Sequence, residues 1–502
     1  MSSDLFLQDL LRLQFGLSAS FHFLFVPLSL GLLLCMNLLQ TAHAINAKPE
    51  YEQAAAFWSR FYFLCWVVGV ITGYALRFQL QNDWGLYAKA ATPVLKEIFA
   101  MEAAIGPFMV VGVLITSCFR GLVNSKILAI IGWLLLSVMM MQALTILSVN
   151  AWMQHPVGVA FEQDAWKLLN INDILFSNTA IEKFCHTLSA AMLTGAFFVL
   201  ALSASYMLKG KRTEAMAVSM RLGAWLSVVG VVCMLTSGHE SAEGVSKAQP
   251  MKFASMEGHW KTESGPASLT LFAIPDETNQ RNRYALEVPY VLSLLTYASL
   301  ESPPGIIDVT NANAKKIENA LQNKDAIKAS GWLALRDAMA TRDTSAWSVM
   351  TKAEQVQMVA NTARPNVTAI FTAFHVMVFS GIVLLFLSIW IFIHREALSK
   401  GQRPVLLKTI LWCAPLPWVA TLSGWAVAEI GRQPWTVYEQ LPTLNASQLP
   451  VLGMGVISAL LSMFLIGIVI TTLFLLISRV FYHAGSESKL FRTKWAMLNK
   501  LA

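Results

Sequence analysis

Long apolar runs alternate with short polar turns along most of this chain. A helix needs about 20 mostly apolar residues to cross the hydrocarbon layer of a membrane. The runs predict spans near 20–41, 58–76, 98–118, 127–150, 184–206, 218–237, 368–393, 405–426 and 452–478. The fold expected is therefore an all-α integral membrane bundle of about nine transmembrane helices. One polar segment, about 239–365, interrupts the pattern and holds a disproportionate share of the Asp, Glu, Lys and Arg. Pro303-Pro304-Gly305 breaks it, and 312–362, with its Ala, Lys and Glu, reads as helical. The chain divides into a six-helix membrane part (1–237), a loop (238–367) and a three-helix membrane part (368–502). The loop is either a solvated domain or a substrate-facing element, since a connection this long is usually functional or disordered.

Nine spans put the termini on opposite sides, and loop charge chooses the sides. Lys48 and Arg60 follow the first span, Arg120 and Lys126 the third, and Lys209, Lys211, Arg212 and Arg221 the fifth. Arg395, Lys400, Arg403 and Lys408 follow the seventh, and Arg479, Lys489, Arg492, Lys494 and Lys500 the ninth. The opposite short loops carry fewer basic residues. The N-terminus and the long loop are expected outside, and the C-terminus in the cytoplasm.

Composition agrees with this picture. Hydrophobic residues make up 55% of the chain and charged residues 13%, against roughly 25% charged in a soluble domain. The net charge of +7 resides in loops, where orientation signals sit, and no nucleic-acid partner is expected. The six cysteines lie in or beside apolar runs with no CxxC or CxxCH, which argues against a disulfide framework, a zinc site or covalently attached heme. A basic n-region and a cleavage site are missing at the N-terminus, so no removable signal peptide is expected.

An ionisable side chain within a span is costly unless paired or ligated, so each is a functional hypothesis. His22, Glu102, His186 and Glu429 stand out. Histidine and methionine are heme axial ligands, which brings in Met377. Each has a plainer reading. Either histidine could bond a neighbouring helix, and one methionine among 22 is more often packing. Glu102 lies on an apolar helix with no basic residue in the following turns, which favours a metal or proton role unless a partner subunit supplies a cation. Arg432 stands one helical turn from Glu429, where the two could meet, or it could hold a heme propionate. Otherwise GRQPW is an interfacial helix end with Trp435 as anchor.

Several stretches resemble subunit I of the cytochrome bd quinol oxidase family. They are Arg12-Leu13-Gln14-Phe15 with HFLFVPL from His22, ILFSNTAIEKFCHT (174–187), AFHVMVFSG around Met377, and GWAVAEIGRQPW (424–435). The likeness runs over nearly the whole chain. It implies a quinol:oxygen oxidoreductase of the bacterial cytoplasmic (inner) membrane that separates charge without pumping. His186 and Met377 would ligate a low-spin heme b. His22, Glu102 and Glu429 would serve a high-spin heme b and a heme d, or a further heme b. Arg432 and Trp425 would help hold the hemes. KFASMEGHW resembles the family's quinol segment, making Lys252 and Glu257 candidates for quinol binding and deprotonation. The partners implied are a second membrane subunit, a small single-helix subunit, membrane quinol and oxygen.

Four positions depart from the family pattern. Val110 replaces a second glutamate on the proton route to the oxygen site, Arg77 an acidic residue, His375 an arginine and His239 an aspartate. Val110 and Arg77 motivate an alternative: a divergent paralogue that keeps quinol and low-spin heme electron transfer but lacks competent oxygen reduction. A transporter is a more distant reading, because no inverted repeat or Gly/Pro-broken helix pair is evident.

Overall fold

The computed structural model describes residues 3–447, apart from 163–164, 323–325 and 343. Among the described residues eight helices are long and apolar enough to cross a membrane. The first six are Ser3–Asn46, Pro49–Asn82, Thr92–Val113, Ser125–Gln154, Asn178–Leu208 and Glu214–Ala248. The seventh is Val367–Ile393. The eighth is built from Pro404–Cys413 and Leu416–Ile430, broken where Pro415 has no N–H to continue the ladder. The run expected at 452–478 lies outside the described residues.

The helices outrun the apolar stretches that identified them. The first extends to Ser3 and Asn46, and the sixth continues through the polar residues 238–248 to Ala248. Once a helix is nucleated, each added residue gains a backbone hydrogen bond whatever its polarity.

The first, second, fifth and sixth helices form the core. Gly31 and Gly195 lie where the first and fifth helices touch. A Cβ on either would overlap the other's backbone, the small-residue device that lets membrane helices approach closely. Polar side chains tie other pairs. Asn37 Nδ2 donates to the Gly132 carbonyl at 2.7 Å, Trp58 Nε1 to Ser219 Oγ at 2.9 Å and Trp418 Nε1 to the Leu24 carbonyl at 2.9 Å.

The polar segment opens with a short helix, Pro250–Glu257, closed by Gly258 at φ +62°, the left-handed ending that glycine adopts without strain. An antiparallel hairpin follows, Leu269–Asp276 with Arg281–Val288, in a register that pairs Leu269 with Val288 and Asp276 with Arg281. At its turn Asp276 accepts hydrogen bonds from Asn279 and Arg283, which pull its carboxyl down to about 2. Helices Ile306–Gln322, Ala326–Arg342 and Lys352–Thr362 come next. Ile317, Trp332, Val356 and Val359 from these helices pack with Trp435, whose ring lies 5.0 Å from that of Trp332. The segment is thereby fixed to the turn that follows the eighth membrane helix.

Candidate functional site

The two histidines singled out in the sequence sit in matching surroundings. His22 Nδ1 lies 2.8 Å from Thr72 Oγ1 on the second helix. Thr72 already donates its hydroxyl proton to the Val68 carbonyl at 2.8 Å, so its oxygen accepts from His22 Nδ1–H. His186 Nδ1 lies 3.2 Å from Ser237 Oγ on the sixth helix. Ser237 likewise donates to the Cys233 carbonyl at 2.7 Å. In each case one ring nitrogen is fixed as the donor, and Nε2 keeps its lone pair. This is the orientation that outer hydrogen bonds impose on metal-binding histidines.

Each hydroxyl residue is followed by a glycine that lies against the ring. A Cβ added at Gly73 or at Gly238 would stand 3.4 Å from Cε1 of His22 or His186. Met377, on the seventh helix, faces Gly424 on the eighth, where an added Cβ would stand 2.8 Å from the sulfur. The seventh helix also packs along the sixth, which carries Ser237 and Gly238. Trp425 follows Gly424, and its ring lies 6.0 Å from that of Phe23, the neighbour of His22. Among the described residues there is no group of three or more His, Cys, Asp or Glu able to hold a metal ion by itself. Single His, Met and Glu side chains suit an iron whose other ligands come from a porphyrin.

Glu429 is held on both oxygens. Asn150 Nδ2 donates to Oε1 at 2.8 Å, and Arg432 Nη2 to Oε2 at 2.5 Å. Arg432 is buried, and its Nε and Nη1 find no partner among the described residues. Tyr87 OH, which feels the charges of Arg432 and Glu429, is equally without a partner. Lys183 and Lys252 stand in the same field. Three basic side chains thus surround one carboxylate. An excess of buried positive charge with unused donors is costly, and anionic groups such as heme carboxylates would relieve it.

Lys252 and Glu257, expected to act together, share the helix Pro250–Glu257 and are both buried. Lys252 Nζ donates to Gln154 Oε1 at 2.5 Å, and Gln154 Nε2 donates to the Ala428 carbonyl at 3.0 Å. Gly431 makes room for the lysine stem, since a Cβ there would stand 2.7 Å from Lys252 Cε. Burial, then the nearby Lys183 and Arg432, hold the Lys252 amine well below its ordinary range, against the pull of Glu429. Glu257 Oε2 has no hydrogen-bond partner, and burial pushes its carboxyl up to about 8.

Glu102 is half-buried, and the turns that follow it on its helix offer no cation. The second helix supplies one: the Arg77 guanidinium lies 4.0 Å from the ring centre of Phe99, one turn before Glu102, and its charge is felt by that carboxylate. Val110, on the same helix, is exposed. His375 ties the hairpin to the seventh helix. Its Nε2 lies 2.8 Å from the Thr270 carbonyl and its Nδ1 2.8 Å from the Phe371 carbonyl, with the ring stacked on Phe371 at 3.8 Å. His239 is exposed.

Thr72, Ser237, Asn150, Gln154 and Lys183 were not singled out in the sequence. The Thr-Gly and Ser-Gly pairs carried a signal, since each puts a hydroxyl next to a residue with no side chain. The other three are recognisable only once distant helices meet.

The match to the family model for cytochrome bd terminal oxidase subunit I covers residues 10–485. The cytochrome bd-II ubiquinol oxidase subunit 1 of Escherichia coli is 30% identical over 471 residues, covering 87% of this chain and 89% of that protein. The cytochrome bd ubiquinol oxidase subunit 1 of Bacillus subtilis is 28% identical over 445 residues, covering 87% and 85%. The structure of bd oxidase from Geobacillus thermodenitrificans superposes with a TM-score of 0.74 at 22% identity, covering 94% of this chain and 98% of the other. By sequence and by fold, this chain belongs to the cytochrome bd terminal oxidase subunit I family.

Proposed function

We propose that this chain is the heme-bearing, quinol-oxidising subunit of a bd-type terminal oxidase. The observation that carries the reading is the matched pair His22–Thr72 and His186–Ser237, in each of which a hydroxyl on the following helix fixes one imidazole nitrogen and leaves the other its lone pair. His186 and Met377 would hold a low-spin heme b. His22, Glu102 and Glu429 would serve the high-spin pair, a heme b with a heme d or a further heme b. Trp425 and Arg432 would support the heme edges. When bound, these groups supply one-electron transfer and the reduction of oxygen to water.

The chain's own residues handle the quinol. Lys252, held by Gln154, binds at a quinol oxygen, and Glu257 takes a hydroxyl proton as general base. The dry setting of both groups sharpens their electrostatics. With the polar segment outside, these protons leave outside, while oxygen reduction draws protons from the cytoplasm, so charge is separated without pumping. A second membrane subunit completes the complex in the bacterial inner membrane, with room for a small single-helix subunit. The chain divides functionally at 1–237, 238–367 and 368–502.

Position 110 favours a second reading. A valine stands there, and Arg77 lies beside Phe99 near Glu102, so a paralogue without competent oxygen chemistry is the alternative. Oxygen uptake on addition of quinol to the purified complex separates the two. Uptake with both low-spin and high-spin heme bands supports the oxidase. Quinol-reducible low-spin heme without uptake supports the paralogue.

A further inference from the structure

The polar ends of the fourth, fifth and sixth membrane helices meet the helix Pro250–Glu257 around a cavity of about 30 Å³, enough for a water molecule. Gln154, His155, Glu182, Lys183, Gln249 and Lys252 are among its walls. The quinol site described above uses neither Glu182 nor Gln249. Gln249 is 2% exposed, and its Nε2 has no partner among the described residues. A buried amide donor facing a polar cavity is normally satisfied by water.

Glu182 is folded tightly against the sixth helix. A Cβ on Gly244 would overlap its carboxylate. The fold has thus kept a glycine where any side chain would displace this group, as Gly431 makes room for Lys252 on another side. The charged neighbours of Glu182 are Lys183 on its own helix and Glu240, Glu243 and Lys247 on the sixth, with His155 and Lys252 across the cavity. Glu243 is paired with Lys247 at 2.6 Å. Glu240 is exposed and is the next carboxylate towards solvent.

We propose that Glu182 is the proton carrier that takes a quinol proton from Lys252, through water in this cavity, to the outer surface. The inference rests on Lys252 and Glu257 being the quinol-binding pair. In this transfer the O–H bond of the quinol hydroxyl bound by Lys252 breaks with its electron pair left on oxygen, and one electron of the quinol would then pass to the low-spin heme. Glu257 takes the proton of the other hydroxyl; the proton of the hydroxyl bound by Lys252 moves to the Lys252 amine, then through the cavity water to a Glu182 oxygen, and from there to Glu240 or bulk water. Burial, then the charges of Lys183 and Arg432, hold the Lys252 amine well below its ordinary range.

The test measures quinol-driven oxygen uptake against pH in the intact complex, with the low-spin heme spectrum as a check of assembly. Wild-type kcat is expected to fall at low pH, where a protonated Glu182 cannot accept. We expect Glu182→Gln to lower kcat about ten-fold at neutral pH, with KM unchanged and the acid limb gone. Glu182→Asp should recover most of the rate, and Gly244→Ala, which displaces the carboxylate, should be slow. Wild-type kcat and pH profile in Glu182→Gln, alongside a Glu257→Gln variant that cannot oxidise quinol, would overturn the route and leave the quinol site standing. Equal slowing by Gln and Asp with an unmoved profile would make the role structural and also overturn it. Normal quinol oxidation by Glu257→Gln would overturn the quinol site and the route with it.

Discussion

Replacing Glu257 by Gln removes one proton-accepting oxygen and changes little else in shape. Glu257 is 5% exposed, its Oε2 has no partner, and burial raises its carboxyl from 4.5 to about 8. It also ends a helix, where the carbonyl end of the dipole opposes a negative charge. Ionising such a group at pH 7 costs about 1 kcal/mol, so about one-tenth of the free enzyme carries the base at pH 7 and about half at pH 8. If the ionised carboxylate takes the quinol proton, kcat/KM rises about five-fold between these pH values and levels off above pH 9. The assay is oxygen uptake with a soluble quinol from pH 6 to 9.5, corrected for autoxidation. Glu257→Gln is expected to lose the limb and to slow quinol oxidation about 10²-fold or more. Stability gives an independent sign. Folding favours the neutral acid, so wild-type stability falls as pH rises from about 4.5 to about 8, and the Gln variant lacks that fall. A flat wild-type profile between pH 7 and 8, or the same limb in the Gln variant, would refute the assignment of Glu257 as base.

His186→Ala is expected to abolish the low-spin heme band while leaving high-spin bands, read in a reduced-minus-oxidised spectrum; an unchanged spectrum would remove His186 from the ligand set. Gly424→Ala puts a Cβ 2.8 Å from the Met377 sulfur, which must move, so the low-spin band should weaken or convert to high-spin character. Arg432→Ala leaves the Glu429 carboxylate without its partner at 2.5 Å. Removing one member of a buried pair costs about 3–5 kcal/mol, so thermal stability and heme content should both drop, and a stable, fully loaded variant would contradict the pairing.

The membrane helices were legible because an apolar run of spanning length has few alternatives. Their ends were not, because residues such as 238–248 are helical for reasons of backbone continuity, not polarity. The hairpin 269–288 was missed. Leu269, Leu271 and Ala273 alternate with polar and mixed neighbours only briefly, and Phe272, Tyr284 and Leu286 are exposed, so neither face reads as buried. At the site, His22, His186 and Glu429 announced themselves by the cost of an ionisable group in an apolar run. Thr72, Ser237, Asn150 and Gln154 did not, since a small hydroxyl or amide is unremarkable in a helix until a partner from another helix arrives. Arg77 shows the same limit from the other side: no cation follows Glu102 on its own helix, and the charge it feels comes from the second helix.

The most direct measurement is the heme spectrum of the purified complex before and after quinol is added under nitrogen. Quinol-dependent appearance of a reduced low-spin b band, lost in His186→Ala and slowed in Glu257→Gln, is the result this account predicts. A complex that purifies with its partner subunit yet carries no heme, or whose low-spin heme is reduced by dithionite but not by quinol, would contradict it.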